Sequence, residues 1–250
     1  MENVAQSVGG EVSLVVGASG GIGRAVVGEL LERGGGGPVI AVSRSPALEA
    51  DSTREGLRWY QCEHTDADID AVVSSLLEGG QTLGRVMICP GVLHDGALQP
   101  EKALERLQRD NLQRVLEVNT VIPALWLSAL TPLLCKSPRA VVAVLSARVG
   151  SIADNRLGGW YSYRASKAAL NMLLKTASVE LARRAPGVKV LAFHPGTTDT
   201  GLSRPFQARV PADKLFGPDF VARQLLEIMD RVIPDGEVEF LDWAGKPIPW

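Results

Sequence analysis

The chain has 250 residues, with 26 Lys+Arg against 28 Asp+Glu and a formal net charge of −2. So small a charge gives no electrostatic ground for expecting nucleic acid or an anionic membrane as a partner. Hydrophobic residues make up 46% and charged residues 22%, a globular composition, and the length suits one large α/β domain.

The N-terminus, MENVAQSVGGEVSL, begins with an acid and lacks an apolar run, so no signal peptide is read there. Residues 11–18 (EVSLVVGA) form a short apolar run rich in β-branched residues, which reads as a strand buried on both faces. Glycines follow, and then the helical pattern IGRAVVGELLERG, which ends in Gly34. Residues 34–37 (GGGG) read as a loose turn without function, and 38–44 (PVIAVSR) as the second strand. The segment 45–56 is too short and broken for a full crossover helix, so a short helix or loop is expected. A third strand at 57–62, a helix over DADIDAVVSSLLEG and a fourth strand at 85–89 come next. The polar stretch 94–111 reads as a loop able to overhang a site. A helix is expected from about Asn111 to Leu134, a fifth strand at 140–146 and a long helix over 161–184. A sixth strand at 188–196, a helix at 219–232 and a seventh strand at 237–243 close the chain.

Buried strands alternating with helices predict a doubly wound α/β fold, a parallel sheet covered on both faces. The expected strand order is 3-2-1-4-5-6-7, with a ligand at the point where the order reverses. The apolar stretch VIPALWLSALTPLL carries two prolines and is too short to span a bilayer, so a cytoplasmic location is expected. Cys62, Cys89 and Cys135 are odd in number and far apart, which argues against both a disulfide framework and a zinc site. His64, His94 and His194 share no metal-ligand spacing.

The first strand runs into VVGASGGIG, where Gly17, Gly21 and Gly23 leave room for a tight turn, close backbone approach and helix–sheet contact. The helix that opens there offers free N–H groups and a partial positive charge to a diphosphate. The whole turn, Ser19, Gly20 and Ile22 included, is therefore the candidate dinucleotide site. The second strand ends in Ser43-Arg44 and not in the acid that would hold the ribose 2′-OH of NAD. A guanidinium suits a 2′-phosphate, which favours NADP(H) over NAD(H). An Arg44 that projects into solvent or stacks on adenine would leave NAD open.

Residues 161–167, YSYRASK, hold two tyrosines and one lysine. Tyr163 has Lys167 four residues on, on the same helical face, whereas Tyr161 has Ala165 there. A neighbouring ammonium favours the phenolate and is expected to lower the Tyr163 pKa. Ser146 ends the fifth strand at the sheet's carboxyl edge, where its hydroxyl can hydrogen-bond a substrate oxygen. Asn119 lies among apolar residues of a predicted helix, and needs a water to hold or a backbone group to satisfy. His194 fits a packed strand end or a site wall, and 202–217 fits a substrate lid or an ordinary surface loop.

With these motifs the sequence resembles the short-chain dehydrogenase/reductases over nearly its whole length. The segments SARVGSIADN, GGWYSYRASKAALNM, HPGTTDT and the ending GKPIPW resemble the C-factor and sniffer-like branch. The resemblance implies a Rossmann-type single domain over 1–250, an Asn119-Ser146-Tyr163-Lys167 tetrad, and reversible hydride transfer between nicotinamide and a carbonyl or alcohol. It implies that Asn119 holds a water relaying protons to Lys167, and that Lys167 also holds the nicotinamide ribose. It places Pro195, Gly196, Thr198 and Thr200 at the carboxamide, Glu63 and His64 at the adenine, and Pro90 and Gly91 against the cofactor. Here Val16 replaces the usual threonine, Glu63-His64 the usual Asp-Val, and Ile88-Cys89-Pro90-Gly91 the usual Asn-Asn-Ala-Gly. The partners implied are a small-molecule substrate and a second copy of the chain, as homodimer or homotetramer through the two long helices. The C-factor likeness also admits a nucleotide-binding signalling or regulatory protein with little turnover.

Overall fold

The computed structural model describes residues 11–35 and 37–250. The residues before Glu11, where a signal peptide was sought, lie outside that range, as does Gly36 of the glycine run.

Seven strands make one sheet: β1 (Glu11–Val16), β2 (Val39–Ser43), β3 (Leu57–Gln61), β4 (Thr82–Ile88), β5 (Ala140–Leu145), β6 (Val188–His194) and β7 (Val238–Asp242). All neighbours pair in parallel, in the order β3-β2-β1-β4-β5-β6-β7, which is the order expected from the sequence. The chain reverses its direction of travel across the sheet between β1 and β4, so a crevice opens beyond their carboxyl ends.

The helices are α1 (Gly21–Arg33), α2 (Glu49–Ser52), α3 (Asp66–Glu78), α4 (Arg109–Leu116), α5 (Ile122–Leu134), α6 (Tyr161–Arg184) and α7 (Pro218–Arg231). Alternate strand residues serve opposite faces of the sheet. Leu14, Val16, Ile40 and Val42 share a core with Leu76 of α3, Trp126 and Leu130 of α5, and Leu170 of α6. Val15, Ala41 and Met87 share the other core with Val26 of α1 and with Val221 and Leu225 of α7. A strand must therefore be apolar at every position, which is why β1 and β2 read as unbroken runs. Each such side chain contributes roughly 1.5–3 kcal/mol when fully buried.

The helix expected over 111–134 is interrupted. A π-helical turn, Glu117–Val121, separates α4 from α5, and the Ile122 N–H reaches the Glu117 carbonyl. Pro123 supplies the cause: it has no N–H for the carbonyl of Asn119 four residues back, and its ring crowds that carbonyl. The run Arg109–Leu134 is long and apolar enough to cross a membrane by composition. Its Trp126, Leu130, Leu133 and Leu134 are nevertheless buried in the protein core.

The turn from β1 into α1 depends on close backbone approach. Gly17 has φ +82°, a left-handed conformation that favours glycine, and its N–H donates to the Val42 carbonyl at 2.8 Å. A Cβ on Gly23 would stand 2.3 Å from the Gly17 carbonyl oxygen, a backbone atom held in place by the turn. Gly23→Ala must open the turn, at an overpacking cost of about 1–3 kcal/mol, and should lower the melting temperature by roughly 5 °C. An unchanged melting temperature by differential scanning calorimetry would contradict this packing.

Candidate active site

A cleft of about 540 Å³ opens at the carboxyl edge of β1, β4, β5 and β6. Its lining brings together Gly17, Gly20, Gly21, Ile22 and Gly23 of the glycine turn, Pro90 and Gly91 after β4, and Ser146 after β5. Tyr163 and Lys167 of α6, and Pro195, Gly196, Thr198 and Thr200 after β6, complete the expected set there. Tyr161 is not among the lining residues. Ser19, Ser43, Arg44, Glu63, His64 and Asn119 also lie outside the lining.

The glycine turn fits a diphosphate. Gly20 caps α1 without any side-chain hydrogen bond, so the first-turn N–H groups face the cleft uncapped by a side chain. A Cβ on Gly21 would come within 2.5 Å of Thr200 Cγ2, so the turn and the segment after β6 already touch. Beside them the Ser43 hydroxyl donates to Ser19 Oγ at 2.6 Å and accepts from the Ser45 N–H at 3.1 Å. Arg44 is exposed and forms no salt bridge among the described residues. His64 turns inward: its Nδ1 accepts from Trp126 Nε1 at 3.1 Å, and burial holds its pKa below the ordinary value. The ring expected at the adenine is thus bound in the core, and of that pair only the exposed Glu63 faces solvent.

The start of α6 is fixed from the polar loop. Trp160, the residue before the helix, has φ +53° and ψ 44°, left-handed and unusual for a bulky side chain. Its N–H donates to the Glu101 carbonyl at 2.6 Å. The buried Glu101 carboxylate accepts from the Ser162 N–H at 3.1 Å and from the Ser162 hydroxyl. An anion at this helix end is favoured by the unpaired N–H groups and the helix dipole. The 94–111 stretch therefore clamps the start of α6, and its Leu98, with the neighbouring Leu93, packs in one apolar cluster with Tyr163. Trp160 stands edge-on to Tyr163, ring centres 6.2 Å apart, and meets Phe206 at 5.1 Å. Leu202, Phe206 and Val210 bring the 202–217 segment into the same cleft wall.

Lys167 Nζ is buried, donates to the Leu145 carbonyl at 2.8 Å and lies 5.9 Å from the centre of the Tyr163 ring. Burial lowers its pKa to about 8, with the nearby Cys89 opposing. Burial likewise raises Tyr163 to about 12. The sequence-based expectation was a lowered tyrosine; here desolvation decides, and the ammonium points at a carbonyl and not at the phenol oxygen. Burial also pushes the Cys89 thiol to about 12, so it is no nucleophile at neutral pH.

Asn119 is fully buried in the π turn. Its Oδ1 accepts from the Val92 N–H at 2.7 Å, and its Nδ2 donates to the Val92 carbonyl at 2.9 Å and to Ser166 Oγ at 3.0 Å. Both amide hydrogens are thereby committed, and the side chain clamps the segment that follows β4. The unpredicted member of the site is Asn171, whose Oδ1 accepts the Ser146 hydroxyl at 2.7 Å. Its signal was available: Tyr163, Lys167 and Asn171 succeed one another at four-residue steps along α6.

A crevice with a capless helix start on one side and a buried tyrosine, lysine and serine on the other defines a dinucleotide-dependent oxidoreductase. A model of the short chain dehydrogenase family matches residues 11–210. A Rhodococcus sp. (strain AD45) protein, 1-hydroxy-2-glutathionyl-2-methyl-3-butene dehydrogenase, is 30% identical over 237 residues, 95% of this chain and 98% of its own. C-signal of Myxococcus xanthus is 35% identical over 148 residues, 59% of this chain and 84% of that one. The crystal structure of NADPH-bound carbonyl reductase from chicken fatty liver superposes with a TM-score of 0.83 at 26% identity, covering 96% of this chain and 98% of that one. The chain belongs to the short chain dehydrogenase family, the NAD(P)-dependent oxidoreductases, on the C-factor and sniffer-like branch.

His194, at the end of β6, lines the cleft beside Arg148, and its buried Nδ1 has no partner among the described residues. Burial lowers its pKa to about 4, the Arg148 guanidinium adds to the shift, and Asp242 opposes it. Between about 4 and the ordinary 6.5 the unfolded chain takes up a proton that the folded chain excludes, so stability falls as pH drops through that window. Melting temperature should fall between pH 6.5 and 4.5, and less steeply in His194→Gln. Parallel pH profiles for the two proteins would contradict the assignment.

Proposed function

We propose that the chain is an NADPH-dependent carbonyl reductase whose acid is Tyr163. The observation that carries this reading is the cleft itself: the Tyr163 and Ser146 side chains line the same space as the glycine turn, with Lys167 behind them. When bound, the nicotinamide supplies a hydride to the carbonyl carbon, and the residues of this chain do the rest. The glycine turn and the start of α1 hold the diphosphate, and Ser19, Ser43 and Arg44 fit a 2′-phosphate. Thr198 and Thr200 fit the carboxamide.

The substrate oxygen lies between Ser146 and Tyr163. As the carbonyl carbon gains the hydride its oxygen becomes an alkoxide, and the Tyr163 hydroxyl transfers its proton there, giving the alcohol. A phenol raised to about 12 stays protonated through the physiological range, which suits it to act as acid in reduction. The Lys167 ammonium stabilises the phenolate left behind and would also hold the nicotinamide ribose. Lys167 then returns a proton to that phenolate; because Pro123 denies the Asn119 carbonyl its helical donor, the backbone oxygen of Asn119, and not its committed amide, is the group to hold a water that reprotonates Lys167. The aromatic wall of Trp160 and Phe206, with Leu202 and Val210 from the 202–217 lid, fits an apolar or aromatic group beside the carbonyl. The setting we propose is a small-molecule reaction in the cytoplasm.

The likeness to C-signal supports one rival, a nucleotide-binding signalling protein with little turnover. Incubation with NADPH and a panel of aldehydes, ketones and quinones, followed by NADPH absorbance, separates the two. The reductase reading predicts turnover with at least one carbonyl, at least about tenfold faster than with NADH, the worth of a single charged contact to the 2′-phosphate. Tight NADPH binding without turnover of any carbonyl would favour the rival. Equal or faster turnover with NADH would overturn the role of Arg44.

A further inference from the structure

Ser146 Oγ and the Asn171 amide form a pair closed off from solvent, with Ser146 3% and Asn171 4% exposed. Asn171 does not line the cleft; it stands behind Ser146 on α6, one turn beyond Lys167. The serine hydroxyl has a single proton, and it points to Asn171 Oδ1 at 2.7 Å. A serine in that state cannot also donate to a substrate oxygen. On the other side of the same amide, Nδ2 is buried with no hydrogen-bond partner among the described residues. Two donor hydrogens are thus left unpaired in the interior, a cost that native structures seldom tolerate without reason.

The two ends of an amide have the same shape. A half-turn about the last side-chain bond sets Nδ2 against Ser146 Oγ and leaves Oδ1 as the unpaired atom. The half-turn gives the orphaned Nδ2 an acceptor in Ser146 Oγ, so the unpaired donor does not hold the amide in the first orientation. The difference falls on Ser146: with Nδ2 donating to it, the serine accepts from behind and its own proton is released into the cleft.

We infer that Asn171 is a positioning residue that sets the direction of the Ser146 hydroxyl. A carbonyl or alkoxide oxygen only accepts, so Ser146 must donate to it while Asn171 Nδ2 donates to Ser146. In the reverse direction the single proton of an alcohol goes to the Tyr163 phenolate, so Ser146 again donates to the substrate oxygen, and Asn171 Oδ1 takes the serine hydrogen only while the site is empty. A reversible amide behind the serine therefore switches between the empty site, where it accepts the serine hydrogen, and the occupied one, where it donates to the serine. The inference rests on the reductase reading, whose own test is turnover by the unmodified enzyme.

The test is a double-mutant cycle of Asn171→Leu and Ser146→Ala, with NADPH and the best carbonyl of the panel. Asn171→Leu should lower reductive kcat about tenfold, the worth of one hydrogen bond at the reacting oxygen. NADPH affinity should stay within about twofold and the melting temperature should not fall, because a buried unpaired donor has been removed. In the Ser146→Ala background the same substitution should have no effect on kcat, since the two residues act as a unit. If Leu crowds the site, Asn171→Ala is read in the same way. If Ser146→Ala leaves no measurable rate, Asn171→Asp decides: with Lys167 one turn away favouring the carboxylate, that variant only accepts, keeps the serine proton and reduces more slowly than Asn171→Leu. Wild-type kcat in the Asn171 variants, equal fold-losses in both backgrounds, or a joint loss of NADPH affinity and melting temperature would each overturn the inference.

Discussion

The candidate site depends on one buried cation. Lys167 reaches from α6 to the Leu145 carbonyl at the end of β5, and this hydrogen bond, beside that of Ser146 to Asn171, ties the helix to the strand that presents Ser146. Burying an ammonium is costly unless it is hydrogen-bonded, and that cost holds the helix in one register over the sheet edge. Gly150 makes the approach possible, because a Cβ there would stand 2.7 Å from the Lys167 Cβ. Once Lys167 is placed, the four-residue steps of α6 place Tyr163 above it and Asn171 below, and all three face the β5 edge.

A second constraint acts at the other end of the same helix. Glu101 satisfies the first turn of α6 and, through its carbonyl, fixes Trp160 in a left-handed conformation. The strain at Trp160 is thus stabilised by a buried carboxylate on a segment far away in sequence. The result is an aromatic side wall set edge-on to the Tyr163 phenol. Burial and chemistry are coupled here: the enclosure that shapes the pocket is also what raises Tyr163 and lowers Lys167.

The sheet order, the crossover helices and the cleft lining by the glycine turn, Ser146, Tyr163 and Lys167 were legible because each depends on local pattern. Apolar runs mark doubly buried strands, and four-residue spacing marks one helical face. Other features depend on what comes near from elsewhere. The π turn could have been read from Pro123, four residues after Asn119, but the commitment of the Asn119 amide to Val92 is a long-range contact. The inward turn of His64 follows from Trp126, sixty-two positions along the chain. The role of Glu101 was hidden in a stretch whose polarity resembled an ordinary loop. The direction of the Tyr163 shift could not be read from spacing, because spacing names the lysine and says nothing of how much water the fold excludes.

The central claim is that the second tyrosine of YSYRASK, and not the first, delivers the proton. Both can be replaced by phenylalanine, which removes one hydroxyl and little else. Steady-state reduction and fluorescence titration with NADPH should be measured for both variants. Tyr163→Phe is predicted to lose at least about a hundredfold in kcat, the lower end for removing a general acid, with NADPH binding nearly intact. Tyr161→Phe is predicted to stay within a few-fold of the unmodified protein. A Tyr163→Phe enzyme that reduces carbonyls at the wild-type rate, or a larger loss in Tyr161→Phe, would contradict the account.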